Sequence, residues 1–145
     1  MSFGQGMESG ESPRGIMAGM VEEARRAVLA EMLQVHEIAA LAGCDMQTMR
    51  SNLARWKAER RIFSIEHEGA EYFPAFALDS RDGYRPFPAL GEALRILNAG
   101  NWGTDWAVAS WFIGLSSFLD DQRPEDLLAS DPEWVIEAAK DACIR

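Results

Sequence analysis

The stretch VHEIAALAGCDMQTM, Val35 to Met49, constrains this chain more than any other part of it. Ala39 is small where two crossed helices would approach, and Gly43 can take the positive φ that a tight turn demands. Asp45 can accept the first free N–H groups of the next helix, and Met49 pins that helix from its apolar side. Ile38 and Leu41 are expected to face the core beside them. The reading is a short helix over about His36 to Ala42, a turn at Gly43-Cys44-Asp45, and a second helix over about Met46 to Arg60.

The flanks extend this pattern. Val21 to Leu33 reads as a helix, with Glu22 and Glu23 near its positive dipole end and Val21, Ala24, Val28 and Met32 as an apolar stripe. Residues 1–19 are Gly-rich and aperiodic, which predicts a mobile tail. Ile62 to Tyr72 reads as a β-hairpin turning at Glu68-Gly69, with Pro74 ending the pairing. Asp79 to Pro88 reads as a loop and as the boundary between two units. Beyond it the chain is helical: Ala89 to Leu97, Thr104 or Asp105 to about Gly114, a short helix opening at Arg123-Pro124-Glu125, and a last one opening at Asp131-Pro132-Glu133. The expected fold is therefore mostly α, with a helix-turn-helix and small hairpin over 20–78 and a helical module over 79–145.

Charge separates these units. The formal net charge is -9, which by itself argues against a nucleic-acid ligand. Its distribution argues otherwise. Met46 to Phe63 carries Arg50, Arg55, Lys57, Arg60 and Arg61 against Glu59 alone, whereas residues 76–145 are net acidic. A helix entering the major groove presents its early residues to base edges, so Gln47, Thr48, Arg50 and Ser51 are the candidate base readers. Arg55, Lys57, Arg60 and Arg61 come later and are placed to neutralise phosphates. A helical hairpin with a merely solvated basic face is the plainer alternative. The hairpin carries Glu66, Glu68 and Glu71, which would repel a phosphate backbone, so it is expected to be structural or to contact protein.

Little in the chain points to chemistry. It holds no phosphate loop and no dinucleotide turn, and Cys44, Cys143, His36 and His67 lack metal-ligand spacing. No enzyme activity, cofactor or metal is expected, and a Cys44–His36 catalytic pair is the weakest of the alternatives. The polar start, without an apolar block, and the interrupted apolar stretch Trp106 to Leu119 predict a cytoplasmic protein that does not span a membrane. Trp102, Trp106, Trp111 and Trp134 are read mostly as core. Trp106 and Trp111 stand about 140° apart on a helix, so one is expected inside and the other near a neighbour.

From Tyr72 onward the sequence resembles the antitoxin Xre/MbcA/ParS-like toxin-binding family. The resemblance rests on Tyr72 to Phe76, the Leu90 to Leu97 helix, Trp102, Trp106 and Trp111. It continues through Leu119, Arg123-Pro124, Asp126-Leu127-Leu128, Asp131-Pro132-Glu133, Val135 and Ala138-Ala139. The first half, through Arg61-Ile62-Phe63, also looks like the helix-turn-helix that precedes this module in part of the family.

The resemblance implies a type II antitoxin. Its C-terminal helices would block a cognate toxin, often a RES-domain enzyme that depletes NAD, and its N-terminal part would repress the shared operon at operator DNA. Trp111, Arg123, Lys140 and Arg145 are the candidate partner-binding residues, and a homodimer is expected because two-fold operators need paired reading helices. Many relatives carry a glycine before the Arg-Pro pair, where this chain has Asp120-Asp121-Gln122. Members without a toxin neighbour leave a second reading, an orphan dimeric DNA-binding transcriptional regulator, and the net charge leaves a third, a protein-binding adaptor.

Overall fold

Most local signals in the first half are used, but long-range pairing moves the ends of the elements. The computed structural model describes residues 13–144. Helix α1 spans Pro13–Leu29. Residues 1–12 of the expected tail lie outside the described residues, while residues 13–19 form the first turns of α1. The helix stops at Leu29, short of the expected Leu33, because the chain tightens there. Glu31 N–H bonds to the Val28 carbonyl at 3.0 Å, and Met32–Leu33 becomes strand β1. Of the expected apolar stripe, Val28 and Met32 are buried, whereas Val21 is 48% exposed and Ala24 is also exposed.

Helices α2, Val35–Ala42, and α3, Met46–Ala58, make the helix-turn-helix. Strands β2, Ile65–His67, and β3, Ala70–Pro74, pair antiparallel, and β1 adds on the far side of β3 in the order β1-β3-β2. Glu68 and Gly69 both hold positive φ, 50° and 82°, the mirror-image turn that matches strand twist. Pro74, expected to end pairing, stands opposite Met32 as the last residue of β3. Its missing N–H is tolerated at a strand end, and the next donor, Ala75 N–H, bonds to the Glu31 carbonyl at 2.9 Å. The first half thus ends in a three-stranded sheet rather than an isolated hairpin.

The stretch Asp79 to Pro88, expected as loop, contains a second small ladder. Strand β4, Leu78–Asp79, pairs with β5, Arg85–Pro86, and the Asp79 carboxylate accepts from Arg81 N–H at 3.0 Å. Helices α4, Pro88–Ala99, and α5, Asp105–Ile113, follow, the latter capped by Thr104. After a 3-10 turn over Ser117–Leu119 come α6, Pro124–Leu127, and α7, Pro132–Cys143. The result is a mostly α fold with a small antiparallel sheet, as the periodicity indicates.

One cluster of buried side chains runs through both halves. Phe112 of α5, fully buried, lies 6.5 Å from the ring of Phe63 and 5.4 Å from that of Phe76, joining the sheet side to the helical side. A second junction is ionisable. Glu125 of α6 meets Glu31, between α1 and β1, and its carboxyl is pushed up to about 7. Burial is the main cause, followed by the hydrogen bond with Glu31 and the charges of Glu31 and Asp126, with Arg123 opposing.

Candidate nucleic-acid interface and partner surface

The turn between α2 and α3 is closed by its own backbone. At the start of α2, the Glu37 carboxylate accepts from Gln34 N–H at 2.8 Å, one half of a capping box. At its end, Gly43 holds φ 72°, its N–H bonds to the Ala40 carbonyl at 3.3 Å, and Cys44 N–H bonds to that of Ala39 at 3.1 Å. This is the two-bond glycine stop, and it fixes the angle at which α3 leaves. Asp45 then caps α3 by accepting from Thr48 N–H and Thr48 Oγ1, each at 2.8 Å. The backbone bond first, and the hydroxyl second, hold its carboxyl below the ordinary value.

Ile38 and Ala39 of α2 are buried, but Leu41 is 56% exposed, contrary to expectation. Val35, Ile38, Ala39 and Ala42 form the inward stripe, and Leu41 lies about 110° from its centre at 3.6 residues per turn. In α3 the inward stripe is Met49, Leu53 and Trp56. Trp56, only 3% exposed, is the aromatic anchor of this half, and the sequence reading passed over it.

The outward face of α3 therefore carries Gln47, Ser51 and Arg55, at successive turns, with Ala54 and Ala58 between them. The remaining expected readers take other positions. Thr48 is exposed but its hydroxyl proton is committed to Asp45. Arg50 lies on the flank, lining a groove of about 350 Å³ with Gln34, His36, Ala70 and Glu71. Arg55 sits 5.9 Å from the Trp56 ring, its charge directed over the aromatic face.

Lys57, expected at phosphates, already has partners within the chain. Its ammonium pairs with Glu71 and donates to Ser64 Oγ at 3.0 Å, while Ser64 donates to Glu71 at 2.6 Å. Burial alone would raise the Glu71 carboxyl, but these two hydrogen bonds and the Lys57 charge bring it below its ordinary value. Lys57 thus fastens β3 to α3, and its charge is balanced inside the fold.

Arg60 and Arg61 lie just past α3. Arg60 occupies the left-handed position of a helix stop, φ 60°, where glycine is usual. Arg61 stands 5.9 Å from the Trp56 ring and 3.4 Å from Glu59. The fold brings Arg95 of α4 into one groove of about 380 Å³ with Arg60 and Arg61. Gly91 lies against this backbone, where a Cβ would make ordinary van der Waals contact with the Arg60 carbonyl at 3.5 Å. Arg95, itself paired with Glu92, is a basic residue at this face that no local pattern signals.

The expected partner-binding residues do not form one cluster. Trp111 is half-buried, edge-on to Phe112 at 4.9 Å, and lines a groove of about 380 Å³ between α5 and α7. Arg123 donates to the Ile113 carbonyl at 2.8 Å rather than pairing with Asp120 or Asp126. Lys140 pairs with Glu137 at 3.2 Å, and Arg145 lies outside the described residues. Trp106 is also half-buried, with Arg25 5.1 Å from its ring and His67 at 5.9 Å. Among the described residues no helix is long and apolar enough to cross a membrane.

No protein-family profile and no curated protein matches the chain. Its fold is similar to that in the NMR structure of Rv2175c, with a TM-score of 0.60 and 19% identity. The likeness covers 77% of this chain and 80% of that one. At that identity the likeness concerns the fold.

Proposed function

We propose that this chain is a type II antitoxin that represses its own operon with its helix-turn-helix and neutralises a cognate toxin with its C-terminal half. The single observation that carries the DNA reading is the outward face of α3. Gln47, Ser51 and Arg55 stand in line on a helix whose entry is fixed by the Gly43 stop and the Asp45 cap. Gln can bond adenine and Arg can fork onto guanine, each such contact being worth about 1–3 kcal/mol of discrimination. Arg50, Arg55 and Arg60 carry no ion pair among the described residues, so their charge is available to phosphate. Glu66 and Glu68 remain exposed on the hairpin, so the reading gives DNA to α3 and not to the hairpin tip.

The toxin half of the proposal draws on the residues shared with the antitoxin family, from Tyr72 to Ala139. Two copies acting at a two-fold operator, in the cytoplasm, complete it. Double substitution of Arg50→Ala and Arg55→Ala should abolish operator binding in a gel shift while toxin binding survives. Unchanged DNA affinity would remove α3 from the interface. Wild-type affinity should also fall steeply with salt, and a flat response would exclude phosphate contacts. Co-purification with the product of the adjacent reading frame separates the antitoxin from an orphan regulator.

A further inference from the structure

Helix α3 opens on a large apolar side chain that its own start does not employ. Asp45 caps the helix through Thr48, and the apolar residues to either side of the cap, Cys44 and Met49, both pack on the core. Met46, the first residue of α3, does not join them and is 43% exposed. The first turn of a helix favours acids or proline, so the local structure gives no reason for a methionine there.

The neighbours of Met46 are polar. Gln47 follows it, exposed, and Arg50 stands one turn further on the same side of α3. Met46 and Arg50 share a groove with Gln34 and His36 of the α2 start. Glu71, the acid of that groove, is already bonded to Lys57 and Ser64. An apolar group set among hydrogen-bonding side chains at the tip of a reading helix has one complement in the major groove. Base edges there present donors and acceptors, and a single apolar feature, the C5-methyl group of thymine. Consecutive Cα atoms are about 3.8 Å apart and base pairs rise by about 3.4 Å, so residues 46 and 47 address the same pair or adjacent ones.

We infer that Met46 reads the C5-methyl group of a thymine lying within one base pair of the base that Gln47 contacts. Its side chain is unbranched and polarizable, and so adapts to the methyl group without a fixed geometry. The inference rests on the DNA half of the proposed function and adds a specificity that no charge on α3 supplies.

The test starts from duplexes of about two helical turns, selected by the full chain from a random pool without modified bases. The selected half-sites should share a thymine. Uracil in its place removes the methyl group and keeps the hydrogen bonds, and should weaken binding about fourfold, the worth of one buried methyl group. Met46→Ala should weaken the thymine duplex by a similar factor and no longer distinguish it from the uracil duplex. Met46→Leu should keep the discrimination. The slope of affinity against salt should be unchanged in Met46→Ala, whereas Arg50→Ala should lower it by about one. Equal binding of the two duplexes by the wild type, or full discrimination in Met46→Ala, would overturn the inference and leave the DNA reading standing. So would a 5-methylcytosine duplex that binds more tightly than the thymine duplex, since the methyl group would then belong to a modified cytosine. Failure to bind any duplex at low salt would overturn both.

Discussion

The outward face of α3 and the groove between α5 and α7 leave opposite kinds of surface on one small chain. In α3 the apolar residues Met49, Leu53 and Trp56 are consumed by the core, and the outside carries polar and cationic residues with Met46, Ala54 and Ala58 among them. At the groove, tryptophans stay half-buried and Leu115 stays out, while the adjoining turn carries exposed Asp120, Asp121 and Arg123. Both surfaces hang on one continuous core, joined where Phe112 meets Phe63 and Phe76. The net charge of -9 is therefore a poor guide to either one. A small chain can carry a cationic and an acidic face because screening over about 8–10 Å keeps separated exposed charges from cancelling each other.

The comparison can be broken at its junction. Phe112→Ala should cost about 3–5 kcal/mol, because it empties a fully enclosed site between the halves. The loss should appear as one transition whether unfolding is followed in the first half or the second. Two separate melts would show that the halves fold independently.

Substitution near the groove should sharpen the contrast. A Cβ on Gly100 would overlap Sγ and Cβ of Cys143, where α4 meets the end of α7. Gly100→Ala should destabilise by about 1–3 kcal/mol through overpacking, and Cys143→Ala in the same chain should restore most of it. DNA affinity of the folded fraction, read by gel shift, should not move.

The Glu31–Glu125 junction predicts a pH dependence. Glu125 ionises at about 7 in the folded chain against an ordinary value of 4.5, so folding favours its protonated form. The stability this contributes is complete below about 4.5 and is lost as pH rises through about 7. Urea midpoints should therefore fall between those values, and Glu125→Gln should flatten that fall. A midpoint rising through the same window in the wild type alone would contradict the junction.

The smallest effects come from backbone strain, and they separate the two faces cleanly. Arg60 and Asp121 both sit at φ near 60° without being glycine. Glycine at either position should add about 0.5 kcal/mol of stability. Arg60→Gly should weaken operator binding as well, whereas Asp121→Gly should leave it unchanged. Equal effects on DNA would mean that Arg60 does not reach phosphate.

Much of the first half was legible because its signals are local. Gly43, Asp45 and the Met49 position act over four or five residues, and the structure uses all three as read. Leu41 was misread on helical phase alone, but other features were hidden by long-range pairing. Strand β1 was folded into the preceding helix because Met32 and Leu33 carry no strand signal until Phe73 and Pro74 arrive beside them. The ion pair of Lys57 was not legible, because its partner Glu71 lies fourteen residues away across a turn. The second ladder, β4 with β5, is too short to show any alternation. Asp120 and Asp121 both hold a left-handed backbone, φ 56° and 61°.

The sequence by itself determined the helix periods, the caps, the turn between α2 and α3, and the separation of basic from acidic segments. Each depends on neighbours within one or two helical turns, whose spacing the chain guarantees. Only the tertiary structure decided which of those charges stay available. It tied Lys57 to Glu71, set Arg95 beside Arg60 and Arg61, and left Trp111 and Leu115 around an open groove. Those outcomes depend on distances between residues far apart in the chain, and these exist only once the shared core around Phe112 has closed.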